Sequence, residues 1–415
     1  MTMMYDPAAP ATHQRPAGVR RLLAAGHEAD FATHLRTFGA LSLPERSSML
    51  SELEASRLTG RGGAGFATWR KVASASSSVH SRRRGRSPIV IGNGAEGEPL
   101  SWKDEVLLQN APHLVIDGLL VAAHTVGARN TILYVGRGSL ESVERAIGER
   151  DDSRGIEVVE AADSFISGEA SAVVNAIEND DPRPTDRMAR MTESGLKGRP
   201  TLLQNVETLA HVALIARYGA HWFRSIGASD DPGTRLVTVS GDVERQGVFE
   251  VTTDTTIAQI LQTTKTDPRS VAAALIGGYH GSWVGPAALD ATLAPSDLAS
   301  FGAQPGAGIV HVLGRGSCGL TATAEITEYL AGESARQCGP CMFGLPTMAS
   351  RLSELAAGIS PATNAAELIR LSDLIVGRGV CHHPDGTVRL VRSALTVFAA
   401  DVRAHGHGHC TRQEG

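Results

Sequence analysis

Five cysteines, Cys318, Cys338, Cys341, Cys381 and Cys410, fall in the last quarter of a 415-residue chain. So few thiols, so clustered, do not make a secreted disulfide framework, and metal or redox chemistry is the better use for them. Cys338-Gly339-Pro340-Cys341 has the spacing of a redox thiol pair. Such a pair belongs near a βαβ pattern, whereas this one follows Glu333-Ser334-Ala335-Arg336-Gln337 in helical C-terminal sequence. A metal reading needs further donors, and Cys381, followed by His382 and His383, supplies one. Three thiolates suit an iron-sulfur cluster, and three with a His suit structural zinc. Cys318 reads either as another ligand or as an inert buried thiol. The tail His405-Gly406-His407-Gly408-His409-Cys410 has metal-binding composition on a glycine-interleaved terminus expected to be unstructured.

A second group of residues could hold a phosphorylated cofactor. Gly60-Arg61-Gly62-Gly63-Ala64-Gly65-Phe66 offers backbone amides to cradle a phosphate, with Arg61 and Lys71 to neutralise it. No Gly-Lys-Ser/Thr follows, so it is not a Walker loop. Gly60, Gly62 and Gly65 fit Gly-x-Gly-x-x-Gly but follow a helix-like stretch, Met49 to Leu58, where a dinucleotide fingerprint needs a strand. The plain alternative is a flexible surface loop. Asn93 to Pro99 and Phe165 to Glu169 each follow a strand-like run, the position where open α/β sheets bind ligands.

The elements that must position these residues follow from hydrophobic periodicity. The first twenty residues, with Pro7, Pro10 and Pro16, read as a mobile leader, extended to residue 29 as a boundary. Short helices are expected between Asp30 and Leu58, and a solvated loop over Ser74 to Ser87. From Pro88 to Val174, β-rich runs (Ile89–Ile91, Thr131–Val135, Gly155–Val159) alternate with amphipathic ones (Leu114–Thr125, Ser139–Arg150), predicting an open parallel α/β sheet over 30–230. After Asp230-Asp231-Pro232-Gly233 come paired strands, Arg235–Ser240 and Gly247–Val251, and a helix, Ile257–Thr263: a small β-rich domain over 231–315. Residues 316–415 predict a helical bundle with a flexible tail.

A net charge of -5, from 39 Lys+Arg against 44 Asp+Glu, creates no global field for nucleic acid, and aromatic stacking platforms are scarce. No run approaches the roughly 20 apolar residues of a bilayer span. The expected location is the cytoplasm, with any membrane association made through a partner.

Taken in order, Gly60–Phe66, Asn93–Pro99, Ser167-Gly168-Glu169, Gly198–Thr208 and the Cys338/Cys341/Cys381 set resemble the flavoprotein subunit family of NADH:quinone oxidoreductase and its diaphorase relatives, from about Leu58 to the C-terminus. Arg235–Ile276 also looks like that family's soluble-ligand-binding β-grasp module. The resemblance implies FMN held by the Gly-rich loop, NADH stacked on the flavin, and a [4Fe-4S] cluster in a helical bundle. Carried over by position, Arg61, Gly62, Gly63, Gly65, Phe66 and Lys71 would face FMN, joined by Asn93, Glu96, Gly168, Glu169, Asn205 and Thr208. Glu98 and Lys71 would lie near the ring and handle the charge and proton of its reduction.

The departures from the family pattern are specific. Its first cluster thiolate falls on Ala335, leaving Cys338, Cys341 and Cys381. The options are a three-iron [3Fe-4S] cluster, a [4Fe-4S] cluster completed by His382, His383, Cys410 or an exogenous ligand, or no cluster. Ala95 replaces an Asp, Ala170 a second Glu, and Arg190 an adenine-stacking aromatic. With Arg187, these changes either favour NADPH or signal that nicotinamide no longer binds. The leading expectation is an electron-transfer flavoprotein serving a ferredoxin-like or membrane redox partner. The rival is a non-catalytic scaffold with zinc at the cysteines and a vestigial flavin pocket.

Overall fold

The structure is a computed structural model and describes residues 20–77, 87–186 and 189–410. The prolines of the leader, Arg187 and most of the Ser/Arg-rich stretch lie outside the described residues.

Four strands, β1 (Ile89–Gly94), β2 (Asn130–Val135), β3 (Ile156–Glu160) and β4 (Thr201–Asn205), form a sheet in the order β3-β2-β1-β4. Every pairing in it is parallel. β1 is buried throughout and, Asn93 aside, carries no polar side chain, as suits a strand covered on both faces. One face carries the helices Pro112–Val126 and Val206–Phe223, whose Leu119 and Leu209 close over Gly92. The other face packs Ile89, Ile91 and Ile132 against Val173 and Val174 of the helix Ala170–Asn179.

A second sheet holds β5 (Thr234–Gly241), β6 (Gly247–Thr252), β7 (Val271–Ile276), β8 (Ser282–Val284) and β9 (Ile309–Gly314), in the order β6-β5-β9-β7-β8. Alternation along its strands gives it two apolar faces. Ala273, Leu275, Trp283 and Leu313 pack on the C-terminal helices, while Val239, Ala274, Ile276 and Val312 cover the helix Ile257–Thr263. That helix starts with a full capping box between Thr256 and Gln259.

The C-terminal helices are Gly319–Gly332, Leu345–Ala356, Pro361–Ile375, His383–Val397 and Ala399–His405. The sequence pattern predicts one helix from Leu390 to His405, but the backbone bends at Phe398, which wedges against Trp283 and Gly319. Two further expectations need correction. Residues 20–29 are docked rather than loose: Leu22 is fully buried, and the Arg21 and Leu22 amides donate to the Glu250 carboxylate. Ser74–Ser77 complete the helix Thr68–Ser77 instead of beginning a loop. Among the described residues no single helix is long and apolar enough to cross a membrane.

Candidate cofactor site and cysteine centre

Because all four strands of the first sheet are parallel, their carboxyl ends share one edge. Chain connections leave β1 toward β2 and β3 on one side, and β4 lies on its other side. The β1/β4 boundary is therefore the topological switch point, where open α/β sheets leave a crevice. Asn93 and Asn205 are register partners at that boundary. Asn93 Nδ2 donates to the Gly168 carbonyl at 2.9 Å, and its Oδ1 accepts from the Ala95 amide, so one side chain ties the β1 exit to the Ser167–Glu169 loop. Asn205 Oδ1 accepts from Glu207 N at 3.0 Å and caps the helix Val206–Phe223, while its Nδ2 donates to Asn93 O.

The Gly-rich segment arches over the same corner. A Thr59–Ala67 bridge and the Gly60 N to Phe66 O bond close it as a loop. Gly62 lies so close to Asn205 that a β-carbon would meet Asn205 Cβ at 3.1 Å, and Gly63 holds φ +106, which L side chains rarely adopt. Gly62, Ala64, Gly65 and Phe66 remain exposed. Lys71, half-buried one turn into the next helix, has no hydrogen bond or ion pair among the described residues, and burial lowers its pKa.

Several expected ligands are instead committed to the fold. The Arg61 guanidinium is fully buried, 2.6 Å from Asp231 and also donating to Pro232 O and Thr234 O. It cannot face a phosphate, because Asp231 holds it inside the protein. Thr208 Oγ1 accepts from Arg61 N at 2.9 Å and so anchors the loop from below. Glu96 accepts from Ser101 and from Glu105 N at the start of the helix Lys103–Asn110. Glu169 caps the helix Ala170–Asn179 through Ser171 N at 2.8 Å and Ala172 N at 3.0 Å. Glu98 accepts from Tyr279 N at 2.8 Å, and burial pushes its carboxyl up to about 8.

Beneath Asn205 lies a charge cluster that sequence reasoning missed. Lys103 Nζ sits 2.6 Å from Asp104 and 3.0 Å from Glu207. Burial alone would lower its pKa, but the two carboxylates hold it above the usual lysine range. Trp102-Lys103-Asp104-Glu105 reads as a solvated helix start. Only the fold, by bringing Glu207 to meet it, buries the run.

The sulfurs lie close behind this edge. Cys338 and Cys341 flank the turn that enters the helix Leu345–Ala356 through a π-helical segment, Pro340–Gly344. Cys381 precedes the helix His383–Val397. Burial, then Cys338 and Cys381, push the Cys341 thiol up to about 12. Cys381 is raised by burial, Glu169 and Cys338. The three thiols thus share one electrostatic site, and Glu169 of the β3 exit loop reaches it. The same loop is clamped there by Phe165, whose amide donates to Glu333 at 2.9 Å and whose ring packs edge-on against His383 and His280.

The fourth donors considered from sequence are placed elsewhere. His383 is buried with both ring nitrogens engaged, Nε2 at 2.8 Å from Leu330 O and Nδ1 at 3.0 Å from His280. His382 is 99% exposed and faces Asp385. Cys410 is gathered with Cys318 and His405. Among the described residues, Cys338, Cys341 and Cys381 do not form a set whose sulfurs all lie within 4.8 Å of one another. Three thiolates at one site suit an iron-sulfur cluster.

Residues 53–214 match the family described as the Nuo51 FMN-binding domain, and residues 321–405 match the NADH-ubiquinone oxidoreductase-F iron-sulfur binding region. An NADH-quinone oxidoreductase subunit of Rhizobium meliloti (strain 1021) is 30% identical over 370 residues, covering 84% of this chain and 86% of that protein. The corresponding NADH-quinone oxidoreductase subunit of Escherichia coli (strain K12) is 27% identical, covering 86% and 84%. The fold is also similar to a chain in the crystal structure of an NAD+-reducing [NiFe]-hydrogenase in the H2-reduced state, with a TM-score of 0.79, 26% identity and 90% of this chain covered. This chain spans 64% of that chain's length. The switch point at the β1/β4 boundary and the thiols that follow it, together with these matches, place the chain, as a divergent member, in the family of NADH-quinone oxidoreductase subunits that carry the Nuo51 FMN-binding domain.

Proposed function

We propose that this protein is an electron-transfer flavoprotein that takes electrons from a nicotinamide donor, through FMN and an iron-sulfur cluster, to a ferredoxin-like or membrane-bound redox partner. The observation that carries the reading is the convergence of the Gly62–Gly65 loop, Asn93, Asn205 and the Gly168 loop on one crevice, with the cysteines next to that loop. The crevice fits FMN: the lack of a β-carbon at Gly62 lets the loop close on Asn205, Gly63 turns it at φ +106, and Lys71 offers an ammonium with no protein counter-ion among the described residues. Backbone amides of Gly62–Gly65 and the Lys71 ammonium would hold the phosphate, with Asn93 and Asn205 shaping the floor.

Bound FMN would supply the conversion between a two-electron donor and single-electron steps. The chain's own part is placement and proton handling. With a pKa of about 8, Glu98 keeps its proton near neutrality and can give it up and regain it. Lys71 compensates negative charge at the loop. Ala95 and Ala170 remove carboxylates that would repel a 2′-phosphate, which supports use of NADPH beside NADH.

The test is anaerobic purification of the full chain, assay of flavin, iron and sulfide, and stopped-flow reduction by each nucleotide. The reading expects a yellow-brown protein with flavin and cluster iron that either nucleotide bleaches. A colourless zinc protein, inert to both, would overturn it.

A further inference from the structure

The two cysteines outside the cluster are brought together by the fold. Cys318 precedes the helix Gly319–Gly332, His405 ends the last helix, and Cys410 lies in the tail. Cys318 Sγ and His405 Nε2 are 3.7 Å apart. All three ligand atoms of Cys318, His405 and Cys410 lie within 4.8 Å of one another, the one such group among the described residues. His405 is buried and both thiols are partly buried, so the site is shielded on one side and open on the other.

We propose that Cys318, His405 and Cys410 bind a zinc ion that pins the C-terminal tail across the start of the helical domain. Two thiolates and one imidazole are a soft-to-borderline donor set of the kind zinc takes in tetrahedral sites. Zinc–sulfur and zinc–nitrogen bonds of about 2.3 and 2.0 Å make an S···N edge of about 3.5 Å in a tetrahedron, close to the separation already present. The fourth corner falls on the open side, where solvent or an imidazole of the exposed His407 or His409 completes it. Binding releases the thiol protons and forms two Zn–S bonds and one Zn–N bond, with no change of redox state. The site shares no ligand with Cys338, Cys341 and Cys381, so it stands or falls independently of the electron-transfer reading.

The test uses the full-length holoprotein, prepared without oxygen and stripped of loose metal by a mild chelator, then titrated with Co2+. The proposal expects one equivalent of cobalt with thiolate charge-transfer absorption and tetrahedral d–d bands, displaced by Zn2+. Cys410→Ala, a change in the tail that leaves the packed helices intact, and His405→Ala each lose that equivalent while cluster iron is retained. Absence of tetrahedral cobalt, bands that persist in C410A, loss of iron in C410A, or a Cys318–Cys410 disulfide recovered from alkylated digests would each overturn the assignment.

Discussion

Asp231 offers a sharp test of how the Gly-rich loop is held. Its Oδ1 lies 2.6 Å from Arg61 and accepts from Thr59, and its Oδ2 lies 3.0 Å from Arg235. Asp231 and Arg61 are fully buried, and Arg235 nearly so. Burial would raise the Asp231 pKa, but the two guanidinium groups hold its carboxyl well below the usual carboxylate range. Asp231→Ala leaves two cations without their anion, and breaking a buried pair from one side costs about 3–5 kcal/mol. At about 1.4 kcal/mol per decade, that is a loss of roughly two to three and a half decades in the folding equilibrium. Urea denaturation of the full chain measures it. Arg61→Met should also destabilise, and Arg61→Met/Asp231→Ala should cost less than the sum of the singles by about 2 kcal/mol. If Arg61 served a phosphate instead, R61M would leave the urea midpoint nearly unchanged and weaken only flavin retention. That result, or an additive cycle with a small cost for D231A, refutes the placement.

Other outcomes follow from single groups. The native state keeps the Glu98 proton between pH 4.5 and about 8 while the unfolded chain releases it, so this carboxyl lowers stability as pH rises through that window. Glu98→Gln should therefore gain thermal stability over the parent between about pH 5 and 9, by at most about 1.4 kcal/mol per unit; a flat difference across that range counts against the shift. Gly63→Ala, forced into φ +106, should cost about 1–2 kcal/mol and release flavin on gel filtration; full retention would contradict the cradle. Ala335→Cys should add a fourth thiolate and lower the cluster potential in a redox titration, since more thiolate makes the cluster more negative; an equal or higher potential argues against a three-thiolate site.

Much of the fold was legible because it obeys short-range patterns. β1 to β3 and their helices announce themselves by periodicity, as does the helix Ile257–Thr263. What the sequence concealed are long-range polar contacts. Asp230-Asp231-Pro232-Gly233 has the composition of a solvated turn, yet Asp231 is buried because Arg61, 170 positions away, reaches it. Thr201–Asn205 is too short and polar to stand out, and only its pairing with β1 makes the switch point. Glu96 and Glu169 look like ligands by position, but free amides at two helix starts claim them first. Cys318 and Cys410 are 92 residues apart, so nothing local predicted that they would meet.

The central claim is that the glycine crevice and the three-thiolate centre operate as one path. Full-length protein mixed anaerobically with limiting NADH in a stopped-flow cell, followed at flavin and iron-sulfur wavelengths, tests it directly. The account predicts flavin bleaching first and cluster bleaching after it, with both lost in a flavin-depleted sample. Cluster reduction that proceeds unchanged without flavin, or flavin reduction that never reaches the iron, contradicts it.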